Sequence, residues 1–238
     1  MKAVPAFILS GFLLICSWPL QAGIQLDGTR IIYPEGRREV TLGLTNHADT
    51  PRLLQTWIDA GDDHPHDTVP FVVTPPIFRL DPDKGHSLRI LYTGGALPAD
   101  RESVFWLNVL ELQPKPVHRA DRNNIKVSIR TRLKLFFRPT GLPGSPKEAV
   151  AQLRWRLVQD GKSCAVACEN PTPWNVSFNH IGLKSVSLRD EEKQNGMCPA
   201  KGTAVFSLTG TPDNTGKLTL ITIDDFGGYH DSEAEFSR

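Results

Sequence analysis

The chain has 238 residues, with 27 Lys or Arg against 26 Asp or Glu and a net charge of +1. So even a balance offers no field for a phosphate backbone, which argues against a nucleic-acid partner. The length suffices for two domains of about 100 residues, each able to bury its own core.

The first residues read as a targeting segment. Lys2 precedes the apolar run AFILSGFLLICSWPL, then Gln21 and Ala22, which predicts a secretory signal peptide over residues 1–22 with Gly23 as the mature start. Leu20 is an unusual residue at the third position before that cut. The run is short and broken by Ser, Gly and Pro, unlike a membrane anchor, and no later segment reads as a bilayer span, so a membrane protein is not expected. Removing 22 from 238 leaves 216 residues, and losing Lys2 leaves 26 basic and 26 acidic side chains.

Beyond Gly23 nearly every segment reads as a strand closed by a turn. TRIIYPEG stops at Pro34 and Gly36, REVTLGLTNH alternates Val40, Leu42 and Leu44, and RLLQTWIDAGDD carries Leu54, Trp57 and Ile58 before a Gly-Asp-Asp turn. HSLRILYTG and SVFWLNVLEL add two more strands. Short alternating strands without a helical period predict an all-β, sandwich-type fold. The stretch RPTGLPGSP has the composition of a linker or domain corner. It separates a first domain, 23–140, from a second, 146–238. The second series runs Leu153–Val158, Cys164–Glu169, Trp174–Phe178, Thr203–Leu208 and Lys217–Ile223. Only PKEAVAQLRWRLVQDG could hold a helix, and its end reads equally as strand.

The run NIKVSIRTRLKLFFRP, residues 124–139, is too long for one ordinary strand. Its first half alternates Ile125, Val127 and Ile129 with Lys126, Ser128 and Arg130, which gives one aliphatic face. Its second half places Lys134 among Leu133, Leu135, Phe136 and Phe137. Arg30 is likewise set inside the first strand, between Thr29 and Ile31. Buried cations are costly unless paired. Either both reach solvent or pair with acids, or together they form a pocket for a carboxylate.

Three cysteines survive signal removal: Cys164, Cys168 and Cys198. In an oxidising compartment an odd count predicts one disulfide and one thiol. Cys164 and Cys168 lie four apart on an expected strand, about 13 Å, which is too far to bridge. One of them pairs with Cys198; Cys168 is preferred and Cys164 is the alternative. No close Cys-x-x-Cys or His pair offers a zinc site. His64–Asp67, HPHD, reads as an exposed loop, and PEGRR and DKGHS lack the context of a phosphate loop. No Gly-x-Ser-x-Gly elbow marks a nucleophile, so an enzyme is not expected. A secreted carbohydrate-binding sandwich is the alternative, using some of the five tryptophans. Against it, Trp18 falls in the signal, and Trp57 and Trp106 read as lying on apolar strand faces.

Six segments in order resemble the periplasmic pilus chaperones of the chaperone–usher family. GTRIIYPEG is similar to the family's first strand, and TPPIFRLDPDKGHSLRI to its Thr-Pro-Pro and Arg-Leu-x-Pro signature. RESVFWLNVLELQP and LKLFFRP resemble the segments flanking its long loop; ENPTPW and TIDDFGG resemble two motifs of its second domain. The resemblance implies two immunoglobulin-like domains set as an L, no cofactor, fimbrial subunits as clients and an outer-membrane usher as partner. It places Arg30 and Lys134 on the pair that anchors a subunit's C-terminal carboxylate. Ile125, Val127 and Ile129 fall on the donor strand that fills the open groove of a subunit. Lys126 and Arg130, on its other face, would blunt the edge when no client is bound. Glu102, Arg138 and Asp225 fall on an inter-domain ion cluster of structural role. Pro75-Pro76 resembles the family's cis-proline turn. The loop 115–124 is of modest length, as in the branch serving pili. Asp224 and Phe226 depart from the usual Asn and Tyr, and the Cys198 region with DEEKQNG matches no motif.

Overall fold

The first nine strands of the computed structural model make two sheets packed face to face. The model describes residues 23–61, 68–112, 127–160, 163–184, 195–208 and 215–237. The signal segment, His64–Asp67, the loop 115–124, Ile125, Lys126 and most of DEEKQNG therefore lie outside the described residues.

The strands are β1 (Ile24–Leu26), β2 (Arg30–Pro34), β3 (Glu39–Asn46), β4 (Arg52–Asp59), β5 (Phe71–Thr74), β6 (Ile77–Leu80), β7 (Gly85–Tyr92), β8 (Ser103–Leu112) and β9 (Ile129–Arg138). One sheet runs β1-β3-β7-β5 and the other β2-β9-β8-β4-β6. Alternation decides which residues meet between them. Leu42, Leu44, Leu88 and Ile90 from the first sheet face Leu54, Leu107, Leu135 and Ile31 from the second, all buried. Each such side chain contributes roughly 1.5–3 kcal/mol on burial. An aromatic cluster fills the end nearest the second domain: Tyr33, Phe71, Tyr92, Phe105 and Phe137, with ring centroids such as Phe71–Phe105 at 5.0 Å. The turn between β5 and β6 contains a cis Thr74–Pro75 bond.

The stretch that reads as either helix or strand is both. Ser145 caps a one-turn helix, α1 (Pro146–Val150), accepting from the Glu148 backbone N–H at 3.3 Å, with Pro146 in the first turn. Then β10 (Arg154–Asp160) begins, followed by β11 (Ser163–Asn170), β12 (Val176–Leu183), β13 (Gly196–Cys198), β14 (Gly202–Leu208), β15 (Thr215–Ile223) and β16 (Tyr229–Ser237). Trp174 does not start a strand as expected. Asn170 holds that stretch as a turn, donating to Trp174 O at 2.7 Å and accepting from Thr172 N at 3.0 Å.

The second domain is a single sheet, β13-β12-β15-β16-β10-β11-β14, rather than two separate ones. It folds back on itself so that its outer strands, β13 and β14, lie side by side. Trp155, Phe178, Phe206, Leu218 and Leu220 fill the enclosed core. Cys168 on β11 bridges Cys198 on β13, with Cα atoms 6.2 Å apart, across this core. The preferred pairing is the one formed, and Cys164, paired through its backbone with Gln159 and Leu208, is not in it.

Candidate functional site

β9 is paired unequally on its two edges. Antiparallel to β8, it is paired from Ile129↔Glu111 to Phe137↔Ser103. Parallel to β2, it is bonded only from Lys134↔Arg30 to Arg138↔Pro34. Residues 129–133 thus have no partner on their second edge among the described residues. Leu133, Leu135 and Phe137 are buried in the core, and the same face continues outward to Ile129 and Val127, which are 53% and 56% exposed. An apolar strand face leaves the core and runs into solvent beside an open edge.

The open edge ends at two cations. Arg30 and Lys134 are the first rung of the β2–β9 pairing. Lys134 Nζ donates to Ser177 Oγ at 3.1 Å, and Arg30 Nη1 donates to the Ile223 carbonyl at 3.1 Å. Neither forms an ion pair with a described residue, and Arg30 Nε is buried with no hydrogen-bond partner there. Burial, and then the charge of Arg30, push the Lys134 ammonium down to about 8. Burial also lowers Arg30, against the pull of Asp225, Asp224 and Tyr229. The expectation that such cations reach solvent or pair with acids does not describe them. They form a partly buried, doubly positive site with donors to spare, the chemistry that a carboxylate completes.

Four residues on, Arg138 lies in a different setting. Its Nε donates to Glu102 at 2.8 Å, and its two terminal nitrogens grip Asp225 at 2.8 and 3.0 Å. Glu102 also accepts from the Asn175 backbone N–H at 2.9 Å, and Trp174 lies under the guanidinium at 4.9 Å. The three residues predicted to cluster between domains do meet there. An exposed Lys201–Asp100 pair at 2.7 Å and a Glu102 N–H to Pro173 O bond at 2.9 Å reinforce the joint.

The outer face of β9 was not legible from sequence. Arg130 lies over Trp57 at 5.1 Å, and Arg132 and Lys134 over Trp106 at 4.7 and 5.7 Å. Asp59 takes Arg130 and Arg132 at 3.3 and 3.2 Å, and the fully buried Asn108 joins Asp59 to Arg130. Arg130 is therefore not a guard on a free edge but part of this layer. Trp57 and Trp106 sit on the sheet's outer face under cations, not on the core face, and that roof removes them as sugar platforms. The signal was a shared period of two, with Arg130, Arg132 and Lys134 opposite Leu110, Asn108 and Trp106. Among the described residues no group of three His, Cys, Asp or Glu is placed to hold a metal ion, and no helix is long and apolar enough to cross a membrane.

Comparison with known proteins agrees along both domains. Residues 23–143 match the pili and flagellar-assembly chaperone model, PapD N-terminal domain, and residues 148–234 match the pili assembly chaperone PapD C-terminal domain. The probable fimbrial chaperone YadV of Escherichia coli strain K12 is 38% identical over 221 residues, 90% of this chain and 89% of its own length. The crystal structure of the YadV chaperone superposes with a TM-score of 0.75 at 35% identity, over 90% of this chain and 100% of that one. A chain of the Salmonella enterica complex between the SafA pilin and the SafB chaperone matches with a TM-score of 0.75 at 29% identity, covering 91% and 96%. With two immunoglobulin-like domains matched in order, the chain belongs to the family of PapD-like pilus-assembly chaperones.

Proposed function

We propose that this protein is a periplasmic, non-enzymatic chaperone that binds, folds and caps fimbrial subunits by lending them a β-strand, and passes them to an outer-membrane usher. In this reading residues 1–22 are removed on export, and 23–140 and 146–238 are the two domains. Arg30 and Lys134 anchor the subunit's C-terminal carboxylate, and Ile125, Val127 and Ile129 fill its open groove. Glu102, Arg138 and Asp225 hold the domains together. Strand donation needs neither a catalytic group nor a cofactor.

One observation carries the reading: the edge of β9 at 129–133, unpaired among the described residues, ends at the Arg30↔Lys134 rung. The geometry sets the client's direction. A client carboxylate at Lys134, with the chain before it lying along Leu133 to Ile129, runs parallel to β9. Backbone bonds to the open edge supply affinity, and the alternate side chains enter the client's core. Each of Val127 and Ile129 then adds roughly 1.5–3 kcal/mol.

The test is export of the tagged chain, co-expressed with a pilin of known sequence, and isolation of the pair. The pilin's C-terminal peptide is then titrated as free acid and as amide. Tight binding of the acid and loss of most affinity in the amide is the expected result. Equal affinity for both sinks the carboxylate anchor.

A further inference from the structure

The cation rung is held from the other domain by a second rung. Ser177 and Ile223 are direct partners in the β12–β15 pairing. These are the two residues that receive Lys134 and Arg30, each at 3.1 Å. A parallel rung of the first domain, Arg30↔Lys134, therefore faces an antiparallel rung of the second, Ser177↔Ile223, with one hydrogen bond joining each end. Ser177 is only 2% exposed.

We propose that Ser177 is a positioning residue of the carboxylate anchor: its hydroxyl, with the Ile223 carbonyl beside it, aims the Lys134 and Arg30 donors into the site. The proposal rests on the client-carboxylate reading above. The physics is that of two like charges side by side. Left alone, an ammonium and a guanidinium turn away from each other, and the ammonium spins freely about its last bond. An acceptor on each removes one donor direction per cation and leaves the others pointing where an incoming carboxylate can reach both. A site prepared in this way spends less affinity on ordering its side chains. Ile223 acts through its backbone, so Ser177 is the member that mutation can address. The arrangement also makes client capture depend on both domains being docked, since half of the tether belongs to each.

The groups facing Lys134 are Arg30 from β2, the Trp106 ring from β8 and Ser177 from β12. Around Arg30 stand Asp224 and Asp225 from the turn after β15, and Tyr229 from β16. Among the described residues Ser177 is the one neighbour that accepts a hydrogen bond from the Lys134 ammonium, so removing its hydroxyl disfavours the protonated form.

The experiment uses the mature two-domain protein and a synthetic peptide of alternating Val and Thr with a free C-terminal carboxylate, alongside its amide. Ser177→Ala is expected to weaken the acid about tenfold, the loss of one hydrogen bond to a charged group, and to leave the amide unchanged. It also moves the alkaline limb of acid binding, and the Lys134 titration followed by NMR without peptide, to lower pH. Ser177→Thr, which keeps the hydroxyl, restores both. Wild-type affinity and titration in Ser177→Ala, or equal weakening of acid and amide, overturns the proposal. Lys134→Ala separates the two levels. If Lys134→Ala prefers acid to amide as strongly as wild type, the anchor reading itself fails. If that preference shrinks while Ser177→Ala behaves as wild type, only the positioning role fails.

Discussion

Lys134 and Arg138 are four residues apart on β9, and both reach across to the second domain, yet they stand in opposite electrostatic settings. Arg138 meets two carboxylates, one of them on Glu102, whose side chain is 2% exposed. Lys134 meets a hydroxyl and another cation, and its ammonium is pushed down to about 8. A buried charge that is already neutralised holds a structure together; one that is not neutralised is a binding site awaiting its counter-ion. The strand that carries both thus holds a compensated cation at its end and, two repeats of the pleat earlier, the cation proposed as the anchor.

The sharpest break of that comparison is to truncate each cation. Lys134→Ala should lower affinity for a C-terminal carboxylate by at least about 100-fold, since it removes a charge-assisted bond made in a desolvated site. The melting temperature should hold or rise, because an uncompensated charge has gone. Arg138→Ala should do the reverse, costing about 3–5 kcal/mol of stability by leaving Glu102 buried and unpaired. Denaturant melts of both variants decide it. If Lys134→Ala is the less stable of the two, the assignment of roles is wrong.

Next in size is the open edge. Val127→Asp places an acid where the client core should close, at a cost of several kcal/mol in binding. Ser128→Asp adds the same charge one residue along, on the opposite face, and should be mild. Pull-down of a co-expressed pilin, with each variant's melting curve as control, reads the contrast. Equal losses in folded protein would refute the face assignment.

The disulfide tests the support behind the anchor. Cys198 is the register partner of Val176, and Met197 that of Ser177, so the bridge braces the strand that carries Ser177. Cys198→Ala should cost about 2–5 kcal/mol in the second domain. Thiol titration of the denatured, unreduced mature protein should find one free thiol; three would contradict the bridge.

The smallest effect is a pH shift with two opposite signs. Lys134 is held at about 8, below its ordinary 10.5. In that interval the unfolded chain binds a proton that the folded one lacks, so this group's contribution makes stability rise as pH goes from 8 to 10.5. Carboxylate binding should instead fall as pH passes 8, because the ammonium is lost. Measuring both on one sample gives diverging slopes. Parallel slopes would mean that another group controls the site.

Much of the molecule was legible residue by residue. Strict alternation at Val40, Leu42 and Leu44, and again along β9, announces strands, because one face must be buried and a pleat turns every second side chain inward. The stretch from Pro146 was legible as the one place for a helix, whereas the Ser145 cap and the switch to strand came from the structure. The spacing of Cys164 and Cys168 placed Cys198 in the bridge, because residues four apart on an extended strand cannot meet, but only the structure chose Cys168 over Cys164 as its partner. Short or hydrophilic strands escaped: β16, YHDSEAEFS, has Phe236 as its one fully buried residue, so its alternation is hidden. β1 and β13 have three residues each, too few to show a period.

The sequence by itself determined the two-domain β architecture, the place of Cys198 in a disulfide and, through its resemblance, which cations to watch. What it left open was whether those cations are compensated. That depends on neighbours far away in the chain: Ser177 lies 43 residues from Lys134, and Ile223 lies 193 from Arg30. A charge's fate is set by the field and solvent around it, and both exist only once the domains have docked. Tertiary structure alone therefore decided that Arg138 is satisfied, that Arg130 and Arg132 roof two tryptophans, and that Lys134 lies beside Arg30 at the end of an edge unpaired among the described residues. Periodicity is local and can be read along a chain, whereas electrostatic compensation is a sum over space.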